Sequence, residues 1–292
     1  MTITSPTAGP AAATVGRRSA PLCVDVSDPF FFDHPLDHVP GMLLAAGLLG
    51  LVREESDERY GAGAAGRLRI SLTFDRLCAP DREVLLHCSP VPSSGGPRWR
   101  ATAEQDGVPV CTALIGLDAL RAPGEPAPPL RYGGARRPAP THQLERADAR
   151  LVHRQRPENV LLGAPRRTGG AWAEAAVLLP PPGHRLSRTA GGAHAPEALI
   201  ESARQMSTLL GHVAHEREPD AQMLWVSLDA DLPLTVPAAT PLSLRWDFAP
   251  RRGRRADYDL TLAEAGSDVR IGRVALDIHT VSRARYLERR GI

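Results

Sequence analysis

Hydrophobic and polar positions follow a similar order in the first and second halves of the chain. In the first half, a polar loop precedes the uninterrupted apolar run at residues 42–52, which predicts a buried helix. Alternation with a period of two then predicts strands, and Asp106-Gly107 marks a hairpin turn. These strands are predicted at residues 67–77 and 82–91 and in a hairpin over 98–120.

The second half repeats this order. Residues 172–179 are strand-like, a loop rich in proline and glycine follows, and residues 197–216 place apolar side chains at helical spacing behind Pro196. Four further strands are predicted at residues 222–232, 241–249, 256–266 and 268–281.

Two units, each with one helix followed by strands, predict a duplicated α+β domain. A long apolar helix wrapped by an antiparallel sheet is the hotdog arrangement, so we predict a tandem double hotdog whose units pair as an internal pseudo-dimer. The segment between them, rich in proline, glycine and arginine, is typical of a linker. The predicted divisions are a disordered leader at 1–20, a first unit at 21–120, a linker at 121–147 and a second unit at 148–292.

Composition narrows the functional classes. The 292 residues are 42% hydrophobic and 23% charged, which is typical of a globular protein, and a net charge of +2 gives no reason to expect nucleic acid as a partner. No signal peptide and no apolar run of about 20 residues is present, so we expect a soluble cytoplasmic protein without membrane contact. The four cysteines lie in apolar strand-like segments and are expected to be buried free thiols.

The loop before the first helix, "DHPLDHVPGM", is dense in groups that can carry chemistry. His34 and His38 could act as general base or acid near neutral pH, and Gly41 permits close approach of the backbone to a ligand. Alternatively, Asp33 and Asp37 cap turns while the histidines bond backbone carbonyls. A loop bounded by prolines does not hold two histidines in helical spacing, and no third ligand is nearby, so we predict no metal site.

The second helix supplies the charged groups that the first lacks. Glu201 lies three residues before Arg204 and four before Gln205, so all three share one helix face. Burial at the seam would raise the pKa of Glu201 towards use as a general acid, whereas Arg204 would lower it. The alternative is an exposed intrahelical ion pair without a function.

His184 and His194 flank the loop ahead of this helix and are candidate substrate-binding residues, although each alone is as well explained by a structural role.

Two sequence blocks resemble the A-factor biosynthesis hotdog family, the γ-butyrolactone synthases. The first is "FFDHPLDHVPGMLL" at residues 31–44. The second comprises "VHRQRPENVLL" at 152–162 and "PPGHRLSRTAGGAHAPEALIESARQMSTLLGHV" at 181–213, and the segments at 223–229 and 281–291 extend the likeness. The two repeats stand in the opposite order to that of the family.

The resemblance implies a function and assigns residues to it. Family members are double hotdogs that transfer a β-ketoacyl group from acyl carrier protein to dihydroxyacetone phosphate. By this resemblance Glu201, Arg204 and Gln205 fall on the family's "ExxRQ" positions, and the loop histidines, Asp37 and Gly41 fall on its other motif. We therefore expect an acyl carrier protein or coenzyme A thioester as partner, a small phosphorylated or polyketide-type acceptor, and no cofactor.

One departure from the family pattern shapes the predicted site. On the first helix the acid, arginine and glutamine positions read Ala46, Leu49 and Gly50. This predicts one composite catalytic site, in which His34 and His38 face Glu201 across the seam, and a second site that is degenerate. Dehydration, cyclisation or hydrolysis of a carrier-bound chain, and a non-catalytic hotdog that binds an acyl chain or butenolide, remain alternatives, as does association of two copies into a homodimer.

Overall fold

The computed structural model describes residues 16–34, 36–60, 65–94, 96–119, 145–168, 172–187, 192–247, 255–267 and 269–290. Residues 1–15 of the predicted leader, Pro35 of the histidine loop and residues 121–144 of the predicted linker lie outside this description. No helix among the described residues is long and apolar enough to cross a membrane.

Within its described residues, the first unit contains one helix and five strands. The helix α1 spans Gly41–Tyr60, and its apolar side packs through Leu48, Leu49 and Val52 into the core. The strands are β1 (Arg18–Pro21), β2 (Ala65–Phe74), β3 (Val84–Val91), β4 (Arg98–Gln105) and β5 (Val108–Ala119).

The second unit repeats this plan with additions. The helix α2 spans Pro196–Val213, and nearly all of its residues are buried. The strands are β6 (Arg166–Thr168), β7 (Trp172–Val177), β8 (Gln222–Pro233), β9 (Leu242–Asp247), β10 (Arg255–Glu264) and β11 (Arg270–Val281). Short 3-10 helices occur at Pro157–Asn159 and Arg185–Ser187, and the helix α3 (Arg283–Arg290) follows β11.

The eleven strands in the described part of the chain form one antiparallel sheet in the order β1-β3-β4-β5-β2-β8-β11-β10-β9-β7-β6. The two units meet where β2 pairs with β8, from Arg67 opposite Pro233 to Thr73 opposite Ser227. One hydrophobic core runs beneath both units and surrounds both long helices. The predicted α+β class and tandem double hotdog are therefore confirmed.

Parts of the predicted leader and of the predicted linker contact the two units. Arg18–Pro21 pairs with β3, so the predicted leader already contains an edge strand by residue 18. Arg18 also forms ion pairs with Glu54 and Glu58 of α1, which fixes the strand against the helix. Ala147, at the end of the predicted linker, donates a 2.9 Å hydrogen bond from its amide to the carbonyl of Leu162 in the second unit.

Three of the four cysteines match the expectation of buried free thiols, and Cys23 does not. Cys78, Cys88 and Cys111 are buried and unpaired. Cys23 is also a free thiol but is exposed, because it follows the edge strand β1, on the outside of the sheet.

Candidate active site

A cavity of about 380 Å³ lies at the seam between the two units. Its walls include the loop before α1 and the start of that helix, part of α2 from the other unit, the segment with His153 and Arg154, and the adjacent ends of β2 and β8. The apolar walls include Phe74 and Trp225, whose ring centroids are 5.6 Å apart. Mostly apolar walls with a few convergent polar groups are typical of a small-molecule site.

His38 lines this cavity and is held by Asp37. The Nδ1 atom of His38 lies 2.8 Å from Oδ1 of Asp37, which also accepts a 2.7 Å hydrogen bond from the hydroxyl of Tyr286. A carboxylate can only accept, so Nδ1 of His38 donates to Asp37, and Nε2 is the ring nitrogen left to exchange a proton with a ligand. The predicted residues His38 and Asp37 thus form a pair suited to general base chemistry.

His34 lines the same cavity as a second titratable ring. Burial lowers its pKa from 6.5, and the positive charges of Arg154 and Arg204 lower it further. His34 is therefore neutral at pH 7, with one nitrogen that can donate a hydrogen bond and one that can accept.

Gly41 begins α1 at the cavity wall. A Cβ atom at this position would come within 3.1 Å of the Phe74 ring and 3.3 Å of the Trp225 ring, so a glycine is needed for this close packing. The first amides of a helix have no partners within the helix and carry its positive dipole end. Gly41 thus places the N-terminus of α1, a location that favours anions, at the cavity wall.

Glu201 is completely buried and acts as the centre of an ion cluster. Its carboxylate accepts hydrogen bonds of 2.7 Å from both Arg154 and Arg204. Burial alone would raise the pKa of Glu201, but these two guanidiniums outweigh it and lower the pKa to about 2. Glu201 is therefore an anion at neutral pH, and it is not among the described residues that line the seam cavity. Arg204 does line it.

Gln205 and Asp33 hold the backbone around this cluster. The side-chain nitrogen of Gln205 donates 2.7 Å hydrogen bonds to the carboxylate of Glu201 and to the backbone carbonyl of Asn159. The side-chain oxygen of Gln205 accepts a hydrogen bond from the backbone amide of Leu161. Asp33, also buried, accepts hydrogen bonds from the backbone amides of Gln155 and Arg156 across the seam. Both predicted residues lie near the cavity without being among the described residues that line it.

His184 and His194 are placed elsewhere than expected for substrate contacts. His184 accepts from the amide of Leu186 at Nδ1 and therefore donates from Nε2 to the side chain of Asn159. His194 donates from Nε2 to the carbonyl of Thr240. Neither belongs to the described residues around the seam cavity, so the structure favours the structural alternative for both.

Three residues with a clear part in the site were not singled out from the sequence. Arg154 binds Glu201 and lies 4.6 Å over the ring of Phe30, and His153 lines the cavity beside it. Both belong to the "VHRQR" block that carried part of the family resemblance. Tyr286 reaches the histidine loop from α3, and no local pattern in the sequence indicates that contact.

Comparison with known proteins identifies the family. The model of the A-factor biosynthesis hotdog domain matches residues 11–117 and 136–282. The chain belongs to the A-factor biosynthesis hotdog family. The two matched segments cover both units, in agreement with the duplicated fold.

One curated relative matches this chain over part of its length. A 2-oxo-3-(phosphooxy)propyl 3-oxoalkanoate synthase of Streptomyces virginiae is 33% identical over 97 residues, which is 32% of this chain and 32% of that protein. The match therefore spans about a third of that relative.

Two solved dehydratase domains share the architecture. The dehydratase domain of the polyketide PpsC from Mycobacterium tuberculosis has a TM-score of 0.59 at 14% identity, covering 93% of this chain and 96% of that one. The dehydratase domain of RzxB from Pseudomonas fluorescens has a TM-score of 0.58 at 18% identity, covering 90% and 94%. At these identities the likeness shows the fold alone.

Proposed function

We propose that this protein is an acyl-thioester-processing enzyme that transfers a β-ketoacyl group from acyl carrier protein or coenzyme A to the hydroxyl of a small phosphorylated acceptor, such as dihydroxyacetone phosphate. The observation that carries the proposal is that His38, hydrogen bonded to Asp37, lines the seam cavity beside the N-terminus of α1. Family membership and the activity of the S. virginiae synthase support the choice of substrates.

The transfer can be written with the residues of this cavity. Nε2 of His38 removes the proton of the acceptor hydroxyl, and the oxygen attacks the thioester carbonyl carbon. The resulting oxyanion is stabilised by the amides at Gly41 and the dipole of α1. The carbon–sulfur bond then breaks, the new carbon–oxygen ester remains, and His38 returns its proton to the thiolate that leaves.

Arg204, Glu201 and Gln205 have supporting roles in this proposal. Arg204 presents its guanidinium at the cavity wall, where it can bind the β-keto oxygen or orient the acceptor. Glu201 fixes Arg204 and Arg154 instead of transferring a proton, because it is buried and ionised. Gln205 fixes Glu201 in turn. These are positioning residues.

Dehydration or cyclisation of a carrier-bound β-hydroxyacyl chain is the second candidate. It is favoured by the presence of two histidines in one cavity, because one ring can remove a Cα proton while the other protonates the leaving hydroxyl. The neutral state of His34, which follows from its lowered pKa, suits the first of these steps.

The test is an intact-mass assay of β-ketoacyl and β-hydroxyacyl carrier protein, each with and without dihydroxyacetone phosphate. Transfer predicts unloading of the β-ketoacyl carrier only when the acceptor is present, together with a phosphorylated ester product. Loss of water from the β-hydroxyacyl carrier would select the dehydratase instead, and unloading without acceptor would select hydrolysis. Carriers whose masses stay unchanged in every case would refute catalysis and leave the acyl-binding alternative. His38→Gln should reduce turnover by at least about 100-fold if His38 is the general base.

A further inference from the structure

A second cavity, of about 430 Å³, adjoins the seam cavity and is not used by the proposed chemistry. The two cavities share His34, Leu36, His153, Arg154 and Gln222 in their walls. We call this second space the outer cavity. Its outer wall is formed by the loop at Arg150, the segment 219–222, and one side of α3.

The charged side chains in the wall of the outer cavity differ in whether they bind a partner of opposite charge. Arg150 and Arg283 line it from separate segments, are both exposed, and form no ion pair with any residue in the described part of the chain. Arg154 lies deeper and is bound to Glu201. Of the two acids in the wall, Asp37 is already hydrogen bonded to His38 and Tyr286, and Asp220 is exposed. Two guanidiniums without partners therefore face a cavity that opens towards the histidines.

The helix α3 connects this cavity to the histidine loop. Tyr286 donates to Asp37, and Arg283 lies three residues earlier, which places the two side chains on the same face of the helix. An anion held by Arg283 would therefore lie next to the segment that fixes His38. Arg285 belongs to the same helix but is not among the described residues of the outer cavity wall.

We propose that the outer cavity is a phosphate-binding subsite, in which Arg150 and Arg283 bind the phosphate group of a substrate whose reacting end occupies the seam cavity. Guanidiniums form paired, charge-assisted hydrogen bonds with phosphate oxygens, and arginine is well suited to that geometry. The choice of substrate rests on the proposed function. The phosphate has two sources in that reaction: the phosphomonoester of the acceptor and the phosphodiester of the pantetheine arm.

The first experiment needs no catalysis. Titration calorimetry with dihydroxyacetone phosphate alone, and with inorganic phosphate as a simpler probe, is carried out on the full-length protein and on Arg150→Gln, Arg283→Gln and the matched control Arg285→Gln. We expect dihydroxyacetone phosphate or phosphate to bind the wild type and Arg285→Gln, with about tenfold weaker binding in each of the other two variants. Equal binding by all four proteins, or absence of binding by the wild type to both probes and to a phosphopantetheine thioester, would overturn the subsite.

The second experiment distinguishes the two sources. If the subsite binds the acceptor, Arg283→Gln raises KM for dihydroxyacetone phosphate but leaves KM for dihydroxyacetone unchanged. If it binds the pantetheine arm, the same variant raises KM for the phosphopantetheine thioester but not for a short thioester without phosphate. No change in any KM would contradict both assignments. Because the binding titration is independent of turnover, its outcome separates failure of the subsite from failure of the proposed reaction.

Discussion

At the scale of single residues, Glu201 shows how a residue chosen for acid-base chemistry can serve another purpose. Arg154, Arg204 and Gln205 all donate to its carboxylate, and none of its surface is exposed. We expect Glu201→Gln to lower the free energy of unfolding by about 3–5 kcal/mol, because it leaves buried guanidiniums without a counter-charge. Urea denaturation of the variant and the wild type at pH 7.5 measures this change.

The matched control is Glu58→Gln on α1. Glu58 also binds an arginine, Arg18, but its side chain is 65% exposed, so water replaces the lost contact and stability should hardly change. If Glu201→Gln kept full stability but lost activity, Glu201 would act in proton transfer after all.

The candidate site was predictable from the sequence where its residues are neighbours in the chain. His34, His38 and Gly41 stand within one loop and line one cavity, as a dense local cluster suggests. Tyr286 lies 248 residues beyond His38, and only the folded chain brings them together. Burial of Glu201 was expected, but its strongly ionised state was out of reach, because it depends on Arg154 from a different segment.

At the scale of elements, most strands and both long helices were predicted, because each has a clear apolar period. The errors occur where that signal stops. The apolar run of α1 ends at Val52, but the helix continues to Tyr60 through residues that favour helix and contain no glycine or proline, with Glu55 bonded to Arg59. The strand β6 has three residues, and β1 has four, which is too short for a period to be detected.

The pairing of β8 with β11 depends on a glycine that allows close packing. A Cβ atom at Gly272 would lie 2.9 Å from the backbone oxygen of Asp231, which cannot move without disturbing the sheet at the seam. We expect Gly272→Ala to destabilise the protein by about 1–3 kcal/mol. At Gly116 on β5, the nearest atom to an added Cβ would be Cγ of Arg98 at 3.6 Å, so Gly116→Ala should be neutral or slightly stabilising. Similar thermal shifts in both variants would contradict this explanation.

At the scale of the whole molecule, the seam collects titratable groups from both units. Burial lowers the pKa values of His34, His153 and His184, and the neighbouring arginines add to the effect. These rings stay neutral in the folded protein at pH values at which an exposed histidine would take up a proton. The dependence of stability on pH therefore arises from groups of both units that the fold brings together.

His153 gives the sharpest test of this dependence. Its pKa is lowered to about 3 from 6.5, first by burial and then by Arg204, so below pH 6.5 the unfolded chain binds a proton that the folded protein does not. Its contribution to stability is complete above pH 6.5 and is lost as the pH falls, by up to about 1.4 kcal/mol per pH unit. Glu201 adds a further loss only below 4.5, the ordinary value from which its pKa is lowered.

His153→Asn removes this titration while keeping the backbone, because asparagine tolerates the positive φ of 52° found at this position. In urea denaturation between pH 6.5 and 5, the free energy of unfolding of the variant should fall less steeply with decreasing pH than that of the wild type. At pH 8 the His153 ring is neutral in both the folded and the unfolded chain, so there the two proteins should differ by a constant amount. Parallel curves over the whole range would show that His153 takes up a proton as easily in the folded protein as in the unfolded chain. The seam would then be more accessible to water than the burial of His153 implies.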